Sequence, residues 1–90
     1  MNDTRRKSLN KISERIEALL SEIEEVKDDL NQLQDEEQEY MDNMPENLQS
    51  SDRYYAAEEA VSELEEAALA LDDAADNLST ATDSISSAIG

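Results

Sequence analysis

The sequence predicts an all-α protein, an antiparallel two-helix hairpin of coiled-coil type, and three observations support this prediction. Apolar residues recur every seven residues in both halves of the chain, the single proline lies near the middle, and aromatic residues make up only 3% of the 90 residues. A seven-residue apolar repeat is typical of helices that pack along a narrow seam. With so few aromatic side chains for a core, we expect one small domain spanning residues 1–90.

The first helix is expected over about residues 4–43. Its apolar residues alternate at steps of three and four, which is the a and d pattern of a heptad. The a positions are Leu9, Ile16, Ile23 and Leu30, and the d positions are Ile12, Leu19, Val26 and Leu33, followed by Tyr40 and Met44. Both rows are expected to form the seam, with Leu20 and Met41 widening it.

A loop is expected over about residues 44–51. Pro45 has no amide hydrogen and disfavours helical geometry at the residue before it, so the first helix should stop near Asn43. A short turn over residues 45–48 fits the local sequence. Either Ser51 or Asp52 can cap the next helix by accepting hydrogen bonds from its free amides.

The second helix is expected over about residues 52–88, and it repeats the heptad. Its seam consists of Tyr54, Ala57, Val61, Leu64, Ala68, Leu71, Ala75, Leu78, Thr82, Ile85 and Ile89. Beside the seam runs an alanine row of Ala60, Ala67, Ala74, Ala81 and Ala88. Folding about the loop predicts seven layers: Tyr40 with Tyr54, Leu33 with Val61, Leu30 with Leu64, Val26 with Ala68, Ile23 with Leu71, Leu19 with Ala75, and Ile16 with Leu78.

A lone hairpin buries only one strip per helix, which leaves it marginally stable. We therefore expect a homodimer in which two hairpins form a four-helix bundle. One observation opposes this expectation. Glu58, Glu65 and Asp72 recur at heptad spacing close to the seam and would repel a like-charged second copy.

The chain carries 24 acidic and 7 basic residues, a net charge of −17, and the charge is unevenly distributed. Residues 1–27 hold six acids and six bases, whereas the remainder holds 18 acids and only Arg53 as a base. Such a field repels nucleic acid and anionic membranes and attracts basic protein surfaces. We expect a basic protein as the partner, without direct nucleic-acid or membrane binding.

Composition excludes several function classes. The chain has no histidine and no cysteine, which removes imidazole catalysis, thiol chemistry and the usual zinc sites. No calcium loop, glycine-rich phosphate cradle or activated nucleophile is present. We expect no enzyme activity, no cofactor and no metal site. No apolar run reaches the length of a membrane span, so a soluble, cytoplasmic protein is expected.

Two surfaces are candidates for partner binding. The first is an array of carboxylates whose spacing of about 5–6 Å along a helix approaches that of phosphates on a nucleic-acid strand. The array comprises Asp28, Asp29, Asp35, Glu36, Glu37, Glu39, Asp42, Glu46, Asp52, Glu58, Glu59, Glu63, Glu65, Glu66, Asp72, Asp73, Asp76 and Asp83. The binding candidates among them are Glu58, Glu59, Glu65, Glu66, Asp72, Asp73 and Asp76 on the second helix, with Glu39 and Asp42 on the first. The second is the hairpin tip, where all three tyrosines lie. Tyr55, together with Leu69 further along, should face away from the seam, and Arg53 is the only late cation.

Each candidate has a simpler alternative. The acidic residues can serve only to solvate long helices. At the tip, Tyr40, Met44, Leu48 and Tyr54 can close the end of the bundle while Arg53 pairs with Glu37 or Glu39. These alternatives stay open from the sequence.

The run from Glu36 to Arg53, with Tyr40-Met41-Asp42-Asn43-Met44-Pro45 at its centre and a Glu- and Ala-rich helix after it, carries a family resemblance. Over about residues 10–78 the chain resembles small acidic helical proteins of bacteriophages and prophages. The resemblance implies a mobile element inside a bacterial cell, where such proteins look like inhibitors of host defence nucleases or DNA-binding proteins. It assigns no binding residue.

We expect a non-enzymatic inhibitor that blocks a basic, nucleic-acid-handling protein by resembling DNA electrostatically. The alternative is a structural coiled-coil or assembly protein whose acidity serves solubility.

Overall fold

The computed structural model describes all 90 residues as two long helices joined by a short loop. Helix α1 spans Asp3–Asp42, a 3-10 turn spans Glu46–Leu48, and helix α2 spans Asp52–Ile89. There are no strands. The all-α prediction and the helical hairpin are confirmed, and the expected helix ends lie within one residue of the observed ones.

The helix ends follow from local hydrogen bonding. Asn2 caps α1 because its side chain accepts a 2.8 Å bond from the Arg5 amide, and Ser51 caps α2 by accepting a 3.3 Å bond from the Tyr54 amide. At the end of α1, Pro45 cannot donate to a preceding carbonyl. Its own carbonyl instead accepts from the Leu48 amide at 2.8 Å, which closes the 3-10 turn.

The hairpin is elongated and thin, with extents of 70 × 15 × 13 Å. Its accessible surface of 6687 Å² exceeds the roughly 5,300 Å² expected of a compact monomer of 10.1 kDa. Only Met41 and Ala57, both near the tip, are buried, with 5% and 3% of their surface exposed. Two helices in contact along one seam leave most side chains partly in water.

The predicted seam of α2 is confirmed, because all eleven of its residues are buried or half-buried. On α1 the a row is also half-buried as expected. The d row is not: Ile12, Leu19, Val26, Leu33 and Tyr40 are 41–55% exposed. The prediction that the a and d rows together face α2 is therefore wrong.

Helix α1 is rotated about its own axis relative to the prediction. The row that turns toward α2 with the a row is the e row, Ser13, Leu20, Lys27, Gln34 and Met41. Three neighbouring rows of α1 contain large apolar residues, and one partner helix covers only two of them. The ion pair between Lys27 and Asp72 and the bond from Arg6 Nε to the Ile89 carbonyl at 3.4 Å favour the e row.

This rotation also corrects the predicted layers. The layers that place Leu19, Val26, Leu33 and Tyr40 opposite α2 are wrong, because those side chains point sideways and stay about half exposed. The layers through Ile16, Ile23 and Leu30 involve half-buried residues on both helices and stay predictions.

The two flanks of the hairpin differ in chemistry. Lys27 meets Asp72 on one flank, where Asn10 and Glu17 of α1 also line a groove with Ser86 of α2. We call this the polar flank. The d row of α1 and the alanine row of α2 lie on the other side of their seams, so they share the opposite flank. We call this the apolar flank, formed by Ile12, Leu19, Val26, Leu33, Tyr40, Ala60, Ala67, Ala74, Ala81 and Ala88.

Candidate acidic binding face

Nine of the twelve predicted partner-binding residues lie on one side of α2. They occupy the e, b and f heptad positions, which are adjacent around a helix because successive residues turn by about 100°. The e row holds Glu58, Glu65 and Asp72, the f row holds Glu59, Glu66 and Asp73, and the b row between them holds Tyr55, Leu69 and Asp76. We call these nine residues the acidic face. It extends from the polar flank to the back of α2, away from the alanine row.

The carboxylates of the acidic face are free of ion pairs, with one exception. Six of them are exposed, and no cation of the chain lies within ion-pair distance of any of the six. Beyond Arg53, α2 contains no basic residue at all. Their negative charge is therefore available to a partner, and it is not offset within the hairpin.

The exception is Asp72, which pairs with Lys27 across the two helices. Lys27 also lies 3.8 Å from Glu24. The hydrogen bond that Lys27 donates to Asp72 raises the pKa of Lys27, and the charges of Asp72, Glu24 and Asp28 add to the rise against an opposing effect of burial. Asp72 is half-exposed and paired, so it links the two helices and adds little unpaired charge to the acidic face.

Lys27 was not among the predicted site residues. A signal was present in the sequence, because Lys27 is the last base before the acid-rich stretch. Recognising its role also required the rotation of α1, which places its row toward α2.

Tyr55 and Leu69 give the acidic face apolar character at its centre. They are 56% and 58% exposed, which confirms that both face away from the seam. The Tyr55 ring packs edge-to-face against Tyr54, with ring centroids 6.1 Å apart and planes at 77°. Because Tyr54 is half-buried at the seam, this contact holds Tyr55 in place at the start of the face.

The other three predicted residues lie outside the acidic face. Glu39 is on the side of α1 that points away from α2, and Asp42 ends α1, where its carboxylate accepts a 3.1 Å bond from Gln38. Arg53 forms no ion pair, so the alternative that paired it with Glu37 or Glu39 is wrong.

The tip differs from the expected bundle end. Met41 is buried there, whereas Tyr40 and Leu48 are each 47% exposed, so Met41 closes the hairpin in place of Tyr40. Tyr40, Met44 and Leu48 line a cleft of about 350 Å³ that ends at Arg53. This cleft is mainly apolar and opens to solvent.

The remaining chemistry of the molecule is sparse. A second, polar cleft of about 500 Å³ lies at the open end of the hairpin, between residues 10–17 and residues 82–90. No three His, Cys, Asp or Glu side chains converge in a way that could hold a metal ion. Neither helix combines the length and apolar character needed to cross a membrane.

Comparisons with protein-family models, curated proteins and solved structures find no match. The fold and the acidic face define the class, an acidic helical hairpin with one charged side and one apolar flank. Its function has to be argued from these surfaces.

Proposed function

We propose that the protein is a non-enzymatic binding protein whose acidic face occupies a basic surface of a nucleic-acid-handling protein and blocks it. In this proposal the target is a host defence nuclease or a DNA-binding protein. The observation that carries the proposal is the density of unpaired negative charge along α2.

This density is close to that of a nucleic-acid strand. Residues 58 and 76 are separated by about 27 Å along the helix axis, at about 1.5 Å per residue. One strand of duplex DNA carries about eight phosphates over that length, at about 3.4 Å each. The acidic face presents six unpaired carboxylates over the same span. A channel of arginines and lysines spaced for phosphates would therefore meet carboxylates at similar intervals.

The chemistry of such binding is ordinary ion pairing. Arginine forms two parallel hydrogen bonds to a carboxylate as it does to a phosphate, so the carboxylates can replace the contacts that DNA would make. Tyr55 and Leu69 add apolar area within the charged surface. Tyrosine is among the residues enriched at the centres of protein interfaces.

The biological setting follows from the loop resemblance. We propose that the protein is made by a phage or prophage and acts in the cytoplasm of the bacterial host. In this setting the hairpin pairs with a second copy to form a four-helix bundle, which leaves the acidic faces available.

A second candidate function is favoured by a different observation. The exposed apolar row from Ile12 to Tyr40 is what a coiled-coil assembly protein would present to its partners. In that case the acidic face keeps the assembly soluble and binds nothing.

The two candidates are separated by capture of partners from host-cell lysate with three forms of the chain. The first is the wild type. The second carries Glu58→Lys, Glu65→Lys, Glu66→Lys and Asp73→Lys on the acidic face. The third is a matched control with Glu14→Lys, Glu25→Lys, Asp28→Lys and Asp35→Lys, all exposed positions of α1 away from α2. Both variants have the same net charge, because four acids become four bases.

The proposal expects the wild type and the control to retain the same basic, nucleic-acid-binding protein at moderate salt. The acidic-face variant should lose it while circular dichroism shows unchanged helicity. A target retained equally by both variants would contradict a role for the acidic face. The assembly alternative expects losses from substitutions of Leu19, Leu30 or Leu64 and none from the charge reversals.

A further inference from the structure

The d row of α1, which is exposed, is more apolar than the e row, which faces α2. The e row faces α2 although it contains Ser13, Lys27 and Gln34. The d row, by contrast, leaves four aliphatic side chains about half exposed to water. In a complete hydrophobic core the more apolar row would be buried and the more polar row exposed. The row from Ile12 to Tyr40 is thus a surface that lacks its partner.

The apolar flank is large enough for a specific interface. The row runs from residue 12 to residue 40, or about 42 Å of helix, and with the 15 Å width of the hairpin its footprint is about 630 Å² per copy. Two such footprints give about 1,260 Å², which reaches the range of about 1,200–2,000 Å² for stable protein interfaces. The alanine row lets the facing helix approach closely along the same flank.

We propose that the occupant of this flank is a second copy of the chain, docked antiparallel so that the two α1 helices contact each other about a two-fold axis at Val26. This arrangement rests on the pairing of two copies in the proposed function and specifies its geometry. Val26 is the midpoint of the row, so Leu19 then lies level with Leu33 of the second copy, and Ile12 lies level with Tyr40. The alanine rows of the two α2 helices meet beside them.

Charge favours this orientation over the parallel one. Residues 1–27 are neutral and contain the cations, whereas the rest of α1, residues 28–42, carries seven acids and no base. An antiparallel contact places each neutral half against the acidic half of the other copy. A parallel arrangement, in which α1 contacts the second copy's α2, would bring both acidic tips to the same end.

Individual residues along the edge of the contact fit the same orientation. Arg15 lies within one residue of the level of Glu36 of the second copy, and Lys11 lies within two residues of the level of Glu39. One pair opposes it, because Glu22 lies within one residue of the level of Asp29 of the second copy, close to the axis. The two cationic pairs occur twice by symmetry, as in any isologous interface.

The arrangement has a consequence for the acidic face. Glu58 and Glu65 lie toward the polar flank, so they point away from the second copy, and the repulsion expected from the sequence does not arise at this interface. The dimer would present two acidic faces on opposite outer sides. One dimer could then engage two copies of a basic target.

Distances between spin labels on the two copies test the orientation directly. The chain has no cysteine, so Lys11→Cys, Glu25→Cys and Glu39→Cys each introduce one label on the outer side of α1. Antiparallel docking about Val26 predicts label separations of about 45 Å, about 15 Å and about 40 Å respectively, from about 1.5 Å per residue and helices about 10 Å apart. Equal separations at all three positions, or no interaction between copies, would overturn the proposal.

A second test swaps the charges of residues 15 and 36 and measures dimerisation by sedimentation. At about 0.15 M salt, distant charges are screened, so neighbouring opposite charges have the larger effect. Glu36→Arg should weaken the dimer about 5- to 10-fold because it faces Arg15 of the second copy. Combined with Arg15→Glu, it should restore the wild-type affinity. If Glu36→Arg alone strengthened the dimer, only net charge would matter, and the proposed orientation would be refuted. Loss of target capture with an intact dimer would instead refute the proposed function alone.

Discussion

Truncation of Leu33 to alanine is the sharpest test of the apolar flank. Leu33 is 55% exposed in the hairpin and belongs to the d row that faces sideways. Leu33→Ala should therefore change the packing of α1 on α2 very little, while it removes apolar area that the second copy would cover. The substitution separates the stability of the hairpin from that of the dimer.

The size of the effect follows from the area still exposed. Full burial of a leucine side chain contributes about 1.5–3 kcal/mol, and about half of the side chain is left to be buried by the partner. Each copy thus loses about 0.8–1.5 kcal/mol and the symmetric dimer loses about 1.6–3 kcal/mol. At about 1.4 kcal/mol per factor of ten, the dissociation constant should rise roughly 15- to 140-fold.

Leu69→Ala is the matched control, because Leu69 is the same residue type with 58% exposure but lies on the acidic face. Sedimentation equilibrium should show a weaker dimer for Leu33→Ala and an unchanged one for Leu69→Ala. If the two variants weaken the dimer equally, or Leu33→Ala leaves it intact, the assignment of the apolar flank as the interface is refuted.

Three further predictions concern individual contacts. The pKa of Lys27 is raised, so its ion pair stabilises the hairpin fully below the ordinary value of 10.5 and loses that stabilisation as pH rises through the raised value. Urea titration measures the difference in unfolding free energy between wild type and Lys27→Gln. This difference should become smaller above pH 10.5, and a constant difference would contradict the ion pair. Glu22→Lys should tighten the dimer more than Glu14→Lys in sedimentation, because only residue 22 lies beside Asp29 of the second copy; equal effects would leave net charge as the sole cause. Ser51→Ala should lower the free energy of unfolding by about 1 kcal/mol because the α2 cap is lost. Ser50→Ala should not, because the Ser50 side chain forms no hydrogen bond, and equal losses for the two variants would argue against the cap.

The sequence was sufficient for the helices and their ends. Heptad spacing, one proline and a serine cap act locally, so each can be recognised without knowing the fold. The seam of α2 was also predictable, because neither row beside it contains large apolar residues. One of these rows holds alanines and the other holds acids.

The rotation of α1 was not predictable in the same way. Its d, a and e rows all contain large apolar residues, and heptad spacing alone cannot say which two face the partner. The choice depends on Lys27 meeting Asp72, which is a contact between residues 45 positions apart in the sequence. For the same reason the sequence predicted the acidic face as a whole but could not show that Asp72 is neutralised within it.

We propose that the acidic face takes the place of DNA on a basic protein. The most direct test of this proposal is a titration of labelled duplex DNA bound to the protein captured from lysate. We expect the wild-type chain to displace the DNA at stoichiometric ratios. The variant with Glu58, Glu65, Glu66 and Asp73 reversed to lysine should need about 100-fold more, because like charges brought together at an interface cost several kcal/mol. DNA that stays bound in the presence of excess wild-type chain, or that both forms displace equally, would contradict the claim.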